Sequence, residues 1–409
     1  MKLPAYIERP IYLDRILPYA RKDIIKVIVG QRRVGKSYLL YQLMDRLADL
    51  DPDSQQIYIN KELHEFTDLR QAEDLLAHVA RHRRPDRRLS LFIDELQDIE
   101  GFENALRSLQ AEGGIDIYVT GSNAKLLSGE LATYLSGRYV EIKVYGLTYG
   151  EFLTFHGRER GRESLNSYLK FGGLPYLRHL PLEDVVVFDY LRNITDAILL
   201  KDIVARYDIR NVSFLQRLAA FLADNVGSLV TARKISAYLK SQNIKVSHNL
   251  VIDYLTYLTN ALLVLRARRC DIAGKKIFEI GEKYYFEDLG IRHALAGFRL
   301  TDIQKVLENA VYMHLLAAGY DVTVGQIGKK EVDFVCDKGG ERRYLQVAYM
   351  IADDKTRERE FGNLLAIPDN FPKQVVTLDE VEGGSYRGIT HSYLEDFLLS
   401  VDKTKEMIK

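Results

Sequence analysis

The chain has 409 residues, 47% of them hydrophobic, and its 57 Lys and Arg residues balance its 57 Asp and Glu residues. This length predicts two to four domains of roughly 100–200 residues each. The balanced charge gives no sign of nucleic-acid binding by bulk charge, so any such binding must come from a local basic patch. The chain has no apolar run of about 18 residues, which a membrane span would need. The first residues lack the apolar core of a secretion signal, and Cys270 and Cys336 have no metal-ligand or disulfide spacing. We expect a cytoplasmic protein without a membrane partner.

The first decisive motif lies between a predicted strand and a predicted helix. Gly30 is followed by four residues and then by Gly35, Lys36 and Ser37, which fits the phosphate-loop pattern G-x-x-x-x-G-K-[ST]. The apolar residues 24–29 predict a buried strand, and apolar residues at helical spacing follow the motif. Glycines let backbone N–H groups curl around a phosphate, and the helix N-terminus adds positive partial charge. We therefore predict that ATP is bound by Gly30, Gln31, Arg32, Arg33, Val34, Gly35, Lys36, Ser37 and Tyr38. In this prediction Lys36 reaches the β- and γ-phosphates, and the Ser37 hydroxyl ligates Mg²⁺.

A second motif ends the apolar run Leu89–Asp94, which predicts another buried strand. Asp94 and Glu95 would lie at the carboxyl edge of a parallel sheet, where ligands bind in open α/β folds. We predict that Asp94 assists the Mg²⁺ ion that Ser37 contacts. We predict that Glu95 orients and deprotonates the attacking water. The pair is common by chance, but its position after a phosphate loop makes it a strong indication.

The strand predicted for residues 115–120 ends in the small polar sequence Thr120-Gly121-Ser122-Asn123. These side chains could contact a γ-phosphate or the attacking water, or they could simply form a turn and a helix N-cap. Both readings stay open, and Ser122 or Asn123 is our candidate γ-phosphate sensor. Alternation of strands and helices over residues 1–147 predicts a parallel, three-layer α/β domain.

Four segments in this order carry a resemblance: Gly-Gln-Arg-Arg-Val-Gly-Lys-Ser, Phe-Ile-Asp-Glu-Leu-Gln, Val-Thr-Gly-Ser-Asn and Leu-Ser-Gly-Arg. They resemble the AAA+ ATPases, and more narrowly the prokaryotic AAA-type ATPases whose ATPase domain precedes a C-terminal domain of unknown function. The resemblance extends from about Arg9 to about Phe397. One departure is that Tyr145-Gly146-Leu147-Thr148 stands where family members usually have a proline before Leu-[Ser/Thr].

The resemblance implies two further roles. Arg138 matches the arginine that AAA+ proteins often supply to the nucleotide of a neighbouring subunit, which would stabilise charge on the transferring phosphoryl group and would require a homo-oligomer. A surface or structural ion pair is the alternative for Arg138. Asn60, at the end of the second predicted strand, matches the polar residue that holds the catalytic Glu away until a partner binds.

The resemblance also implies a helical lid over residues 148–210. Residues 211–300 then show the order helix, turn, helix, hairpin, which is typical of a winged-helix domain. Its second helix, residues 247–260, contains no Lys or Arg, so it is poorly equipped to read bases in the major groove. The basic residues of the hairpin are the candidates for contact with a DNA backbone: Arg266, Arg268, Arg269, Lys275 and Lys276. Protein contact is the alternative.

Residues 301–409 resemble the PD-(D/E)XK nucleases, an α/β fold in which a helix Glu, a strand Asp and an acid-x-Lys triplet hold Mg²⁺ and activate water. Glu308 and Asp333 match the first two positions. Gln346 and Ala348 stand where the second acid and the lysine belong. An amide is a poor Mg²⁺ ligand, and Lys373 is too remote in sequence to replace the lysine. We therefore expect a nuclease-like domain that has lost its activity.

Together these observations predict a Mg²⁺-dependent ATPase of the AAA+ type, coupled to an unidentified conformational task. The alternative is a nucleotide-gated DNA-binding or interaction switch with negligible turnover.

Overall fold

The structure is a computed structural model that describes residues 3–123, 137–241, 246–272, 274, 277–380 and 384–400. By the density of internal contacts the chain divides into two units. The first unit comprises Met1–Tyr145 together with Asn260–Leu262, and the second comprises Gly146–Thr259 and Leu263–Lys409. Each unit is described by itself.

The first unit contains a five-stranded parallel sheet in the order β2-β3-β4-β1-β5. Its strands are β1 (Ile25–Val29), β2 (Gln55–Asn60), β3 (Leu89–Asp94), β4 (Ile115–Gly121) and β5 (Tyr139–Lys143). Its α-helices are α1 (Pro10–Ile16), α2 (Lys36–Leu50), α3 (Ala72–His82) and α4 (Phe102–Glu112). The prediction of an α/β fold with a parallel sheet is confirmed.

The three inner strands of this sheet, β3, β4 and β1, are buried along their whole length. This is why their sequences read as continuous apolar runs rather than as alternating patterns, since both faces of a parallel sheet are covered. Because β4 lies between β1 and β3, the chain segments that follow these three strands meet at one edge of the sheet. The sequence also predicts a helix at residues 126–135, which lie outside the described residues.

The second unit contains helices along its whole length. They are α5 (Tyr149–His156), α6 (Arg162–Phe171), α7 (Asp184–Ala197), a π-helix (Ile198–Val204), α8 (Ala205–Tyr207), α9 (Val212–Asp224), α10 (Ala232–Ser241), α11 (His248–Asn260), α12 (Leu289–Ala296), α13 (Ile303–Ala317), α14 (Asp354–Leu365) and α15 (Leu394–Leu398). Thr231 and Ser247 cap the starts of α10 and α11, because Thr231 Oγ1 accepts from Lys234 N–H and Ser247 Oγ accepts from Leu250 N–H, both at 3.1 Å.

A nine-stranded mixed sheet runs through the rest of the second unit in the order β13-β14-β12-β11-β10-β9-β7-β8-β6. Its strands are β6 (Leu229–Val230), β7 (Val264–Asp271), β8 (Ile277–Phe286), β9 (Asp321–Ile327), β10 (Lys330–Lys338), β11 (Glu341–Val347), β12 (Lys373–Thr377), β13 (Gly384–Tyr386) and β14 (Ile389–Tyr393). The predicted hairpin is β7–β8, and β7 also pairs in parallel with β9. Strands on both sides of the predicted boundary at residue 300 therefore belong to one sheet. The predicted domain boundaries at residues 147, 210 and 300 stay predictions.

Within the part of the chain that the structure describes, no helix has both the length and the apolar character needed to cross a membrane.

Candidate nucleotide site

The phosphate loop of the first unit connects β1 to α2, as its sequence predicts. Arg33 and Gly35 adopt left-handed backbone conformations, with φ of 72° and 95°, which turn the chain sharply between strand and helix. Gly30 cannot carry a side chain, because a Cβ there would lie 2.2 Å from the carbonyl oxygen of Val144. Thus Gly30 serves close packing against the end of β5 as well as the approach of a phosphate.

The loop is also held from the N-terminal segment by Arg9, which sequence reasoning missed. Arg9 is buried, and its Nη1 donates to the carbonyl oxygens of Val34 at 2.9 Å and of Tyr145 at 3.0 Å. A charged donor that satisfies two backbone carbonyls fixes the loop without using any of its N–H groups. The backbone donors of the loop are not consumed by Arg9.

Lys36 lies at the first position of α2 and is almost fully buried. Its Nζ donates to the carbonyl oxygens of Gly30 at 3.0 Å and Gln31 at 3.1 Å, and it lies 3.6 Å from Glu95 Oε1. An ammonium group has three N–H donors. In Lys36 all three point toward the two loop carbonyl oxygens or toward Glu95. A phosphate that binds Lys36 would therefore replace one of these contacts.

Asp94 ends β3 and is buried. Thr120 Oγ1 donates to its Oδ1, the Tyr58 hydroxyl donates to its Oδ2 at 3.3 Å, and Ser37 also hydrogen-bonds to its carboxyl group. Burial raises the pKa of this carboxyl above its usual range, and the hydrogen bonds from Ser37 and Thr120 oppose that shift. A hydroxyl and a carboxylate in contact are the oxygen donors that Mg²⁺ prefers, so the residues predicted as metal ligands fit this ion.

Glu95 follows Asp94 in a left-handed conformation with φ of 57°, an uncommon backbone geometry for a residue other than glycine. Its N–H donates to Thr120 Oγ1 at 3.0 Å, which holds the turn against β4. Its Oε2 accepts from the Gln97 amide and from Ser122 Oγ, the latter at 3.1 Å. Burial would raise the pKa of Glu95, but Lys36, Gln97 and Ser122 outweigh it and lower the pKa, so the carboxylate is ionised.

Ser122 and Asn123 follow β4 and are both buried at the same edge of the sheet. Ser122 contacts the predicted base directly, so it belongs to the cluster around Glu95. Asn60 does not hydrogen-bond to Glu95 in this structure, and the role that the resemblance implies for it stays a prediction. Its amide donates to the Tyr58 hydroxyl at 3.1 Å and its carbonyl accepts from Glu62 N–H at 2.8 Å, while the amide that holds Glu95 is that of Gln97.

Arg138 lies at the opposite end of the strands, beside the start of β1. Its carbonyl oxygen accepts from Ile25 N–H at 3.0 Å, at the start of β1, and from the Gln110 amide at 3.2 Å. The phosphate loop follows the other end of β1, five residues away, or about 17 Å at the rise of a strand. The side chain of Arg138 is exposed, and its role stays a prediction.

The predicted basic wing belongs to the second unit, and its arginines differ in their contacts. Arg266 pairs with Glu282 at 3.4 Å, Arg269 donates to Gln326, and Arg268 is exposed. The remaining two predicted contacts, Lys275 and Lys276, lie outside the described residues. Two of the three described arginines are thus engaged with neighbouring strands.

The nuclease-like residues of the second unit meet around a lysine that sequence reasoning missed. Lys283 of β8 is buried, and its Nζ lies 2.8 Å from Glu308, 2.9 Å from Glu331 and 3.9 Å from Asp333. These carboxylates outweigh burial and raise the pKa of Lys283. Gln346 donates to Glu360 at 3.2 Å. No group of three or more metal-binding side chains occurs among the described residues, and an internal ammonium group takes the place of a cation beside Glu308 and Asp333.

The signals for the missed residues differ. Gln97 lies only two positions after Glu95 in the same motif, so a fuller reading of Phe-Ile-Asp-Glu-Leu-Gln would have included it. Arg9 and Lys283 act on residues far away in sequence, and neither stands in a recognisable motif.

The parallel sheet, the phosphate loop and the two acidic residues at its edge define the first unit as a P-loop nucleotide-binding domain. Residues 22–153 match the family described as "AAA domain". Residues 162–302 match a "Domain of unknown function (DUF8612)".

The chain is 38% identical over 406 residues to an uncharacterized protein of Haemophilus influenzae, covering 97% of this chain and 99% of that protein. It is 29% identical over 355 residues to an uncharacterized protein of Methanocaldococcus jannaschii, covering 82% and 77% of the two chains. The chain belongs to the same family as the Haemophilus influenzae protein, and its N-terminal part is an AAA domain.

Among solved structures, the Aeropyrum pernix Orc1 protein in complex with DNA is similar with a TM-score of 0.32 and 14% identity, covering 71% of this chain and 92% of that one. AMPPCP-bound DnaA from Aquifex aeolicus is similar with a TM-score of 0.30 and 16% identity, covering 60% and 85%.

Proposed function

We propose that the protein is an ATPase of the AAA+ type, which hydrolyses ATP to ADP and phosphate with Mg²⁺. The observation that carries this proposal is the meeting of Lys36 and Glu95, 3.6 Å apart and both largely buried, at the phosphate loop. One supplies positive charge for the phosphates and the other supplies an ionised base for water. Hydrolysis of a phosphoanhydride depends mainly on positioning and charge stabilisation. A buried ammonium group and a buried carboxylate are side chains of the type that this reaction needs.

In this proposal residues 30–38 bind the phosphates, and Ser37 and Asp94 hold the metal ion. When bound, Mg²⁺ supplies charge neutralisation on the β- and γ-phosphates. Glu95 accepts a proton from the attacking water, and Ser122 or Asn123 contacts the γ-phosphate. Arg9 fixes the loop at the carbonyl oxygen of Val34, and a guanidinium group cannot accept hydrogen bonds from the N–H groups of the loop.

Arg138 enters the proposal as a residue supplied to another copy of the protein. Its backbone lies at the amino end of β1, opposite the loop. Hydrolysis would then depend on assembly into a homo-oligomer, since a charged finger is worth a large factor in the rate of phosphoryl transfer.

The test is phosphate release from ATP as a function of protein concentration, with and without double-stranded DNA, for the parent protein, Lys36→Ala and Arg138→Ala. We expect turnover that Lys36→Ala abolishes, and turnover per molecule that rises with protein concentration. Arg138→Ala should remove that rise, and Arg268→Ala should remove any further rise with DNA. Turnover no greater than that of Lys36→Ala at every concentration would refute the hydrolase.

A second candidate is a nucleotide-gated switch with negligible turnover, which one contact in the first unit favours. The Gln31 amide of the phosphate loop donates to the carbonyl oxygen of Leu262 at 3.1 Å, and Leu262 has a left-handed φ of 56°. Backbone strain of this kind is concentrated at functional sites and switch regions. Binding of ATP without turnover in the parent protein, with altered binding in Gln31→Ala, would favour the switch.

We also infer that residues 211–300 form a winged-helix module and residues 301–409 an inactive nuclease-like module. The order of α10, α11, β7 and β8 supports the former. The contacts of Lys283 with Glu308 and Glu331 support the loss of metal binding in the latter. Mg²⁺-dependent DNA cleavage that disappears in Asp333→Ala would overturn the second inference.

A further inference from the structure

Gln97 lies in a short 3-10 helix, Leu96–Asp98, directly after the predicted base. The left-handed conformation of Glu95 reverses the chain there, so the side chain of Gln97 returns to the side chain two residues earlier. Its Nε2 donates to Glu95 Oε2 and lies 3.5 Å from Ser122 Oγ. Three side chains from two segments thus form one hydrogen-bonded group at the carboxyl edge of the sheet.

The orientation of the Gln97 amide follows from chemistry. An ionised carboxylate only accepts hydrogen bonds, so the NH₂ group of the amide must face Glu95. The carbonyl oxygen of the same amide is then directed elsewhere. This Oε1 is buried and has no hydrogen-bond partner among the described residues. A half-satisfied buried amide is costly, so the need for local stability alone does not explain a glutamine here.

The two oxygens of Glu95 are divided between different partners. Oε2 is held by Gln97 and Ser122, whereas Oε1 faces the Lys36 ammonium, at 3.6 Å. That distance is longer than those from Lys36 to the loop carbonyls of Gly30 and Gln31. The contact with Oε1 is therefore the one that Lys36 gives up most readily when a phosphate binds it.

From this division we propose that Gln97 is a positioning residue for hydrolysis: it holds Oε2 of Glu95 so that Oε1 faces the phosphate end of the site and accepts the proton of the attacking water. The inference rests on the proposed ATPase activity and deepens it. The balance is simple, because water loses one proton to Oε1 as its oxygen bonds to the γ-phosphorus and ADP leaves. Gln97 itself gains and loses nothing. Its contribution is the fixed direction of the carboxylate, and misplacement by about 1 Å can cost on the order of 100-fold in rate.

The sharpest variant is Gln97→Glu, which keeps the shape of the side chain and removes the donor. We expect kcat to fall about 10- to 100-fold, while the KM for ATP and the Kd for a fluorescent ADP analogue, measured with EDTA and with Mg²⁺, change less than about threefold. Gln56→Glu is the matched control, because that amide donates to the carbonyl oxygen of Met44 on α2 and does not contact Glu95. Gln97→Asn, one methylene shorter, should recover only part of the rate.

A double-mutant cycle separates positioning from general damage. In a Glu95→Gln background the change Gln97→Glu should cost nothing more, because its effect passes through Glu95. The role of Gln97 would be overturned by an equal fall in kcat in both backgrounds. It would also be overturned by a kcat for Gln97→Glu equal to that of the parent. Either result would leave the proposed ATPase activity intact. If the parent itself has no turnover above Lys36→Ala, the proposed function fails first, and the role of Gln97 fails with it.

Discussion

At the scale of single residues, the site depends on a few positions where the backbone admits no alternative. Gly30 is set by contact with Val144 and Gly35 by its positive φ, whereas Arg33 holds a positive φ that glycine would adopt more easily. Glu95 combines a left-handed backbone with an N–H bond to Thr120 Oγ1, so the predicted base is held by backbone and side chain together. The positions of the proposed catalytic groups thus depend on packing as much as on residue type.

Gly30→Ala tests this dependence. The added methyl group would lie 2.2 Å from the Val144 carbonyl oxygen, so β5 or the loop must move, and we expect loss of nucleotide binding with a lower melting temperature. Gly362→Ala is the matched control, because a Cβ there meets only the far end of Lys330 at 4.0 Å and alanine suits the interior of α14. Unchanged nucleotide affinity in Gly30→Ala, measured by titration with a fluorescent analogue, would contradict this reading.

At the scale of elements, a buried carboxylate holds the start of α12 in the second unit. Asp288 is the N-cap of this helix, and its carboxylate accepts from Ile291 N–H at 2.9 Å and from Gly173 N–H at 2.7 Å. Burial raises its pKa to about 6 against the opposing effect of these N–H groups. One side chain therefore caps a helix and fixes the Gly172-Gly173 turn that follows α6.

Asp288→Ala should cost roughly two to three times as much unfolding free energy as Asp353→Ala, which removes the exposed N-cap of α14. A typical N-cap contributes about 1 kcal/mol, and a buried N–H left without its acceptor costs about 1–3 kcal/mol more. Urea denaturation of both variants measures the difference. Equal losses would mean that the contact with Gly173 adds no stability.

Most strands and helices of the first unit could be predicted from the sequence, because they are regular and bury apolar residues. The phosphate loop and the strand that ends in Asp94 follow directly from apolar runs and turn residues. Sequence reasoning failed where a contact joins distant positions, as for Arg9 with Val34 and Tyr145 or Lys283 with Glu308. No local pattern records such a partner. The contacts of Asn60 with Tyr58 and Glu62 could not be predicted either, because a position matched by resemblance does not fix the direction of a side chain.

At the scale of the whole molecule, two buried histidines make stability depend on pH. Burial and, to a smaller extent, the neighbouring Arg292 lower the pKa of His293 to about 4. Burial and Arg343 in the same way lower the pKa of His314 to about 3. Both values lie below the ordinary value of about 6.5. Between pH 6.5 and about 4 the unfolded chain binds protons that the folded chain does not, so the unfolding free energy falls as the pH falls.

We expect His314→Leu to reduce this pH dependence by up to about 1.4 kcal/mol per pH unit in that window. The buried Nδ1 of His314 has no hydrogen-bond partner among the described residues, and its ring packs against Phe397 at 4.9 Å, so an apolar side chain suits the site. The exposed His248 provides the control, since His248→Gln should leave the slope as in the parent. Denaturation midpoints at pH 7 and pH 5 that respond identically in both variants would refute the assignment.

The parallel pairing of β7 with β9 has a consequence for how this chain can be divided. β7 precedes residue 300 and β9 follows it, and three pairs of residues align between them, beginning with Arg269 and Val324. A chain cut at residue 300 would leave β7 with an open edge of N–H and C=O groups, the kind of edge that recruits strands from other molecules. Aggregation of such a fragment would then report a broken sheet and not a poorly folded winged helix. The hairpin and the strands after it therefore have to stay together in any fragment of this chain.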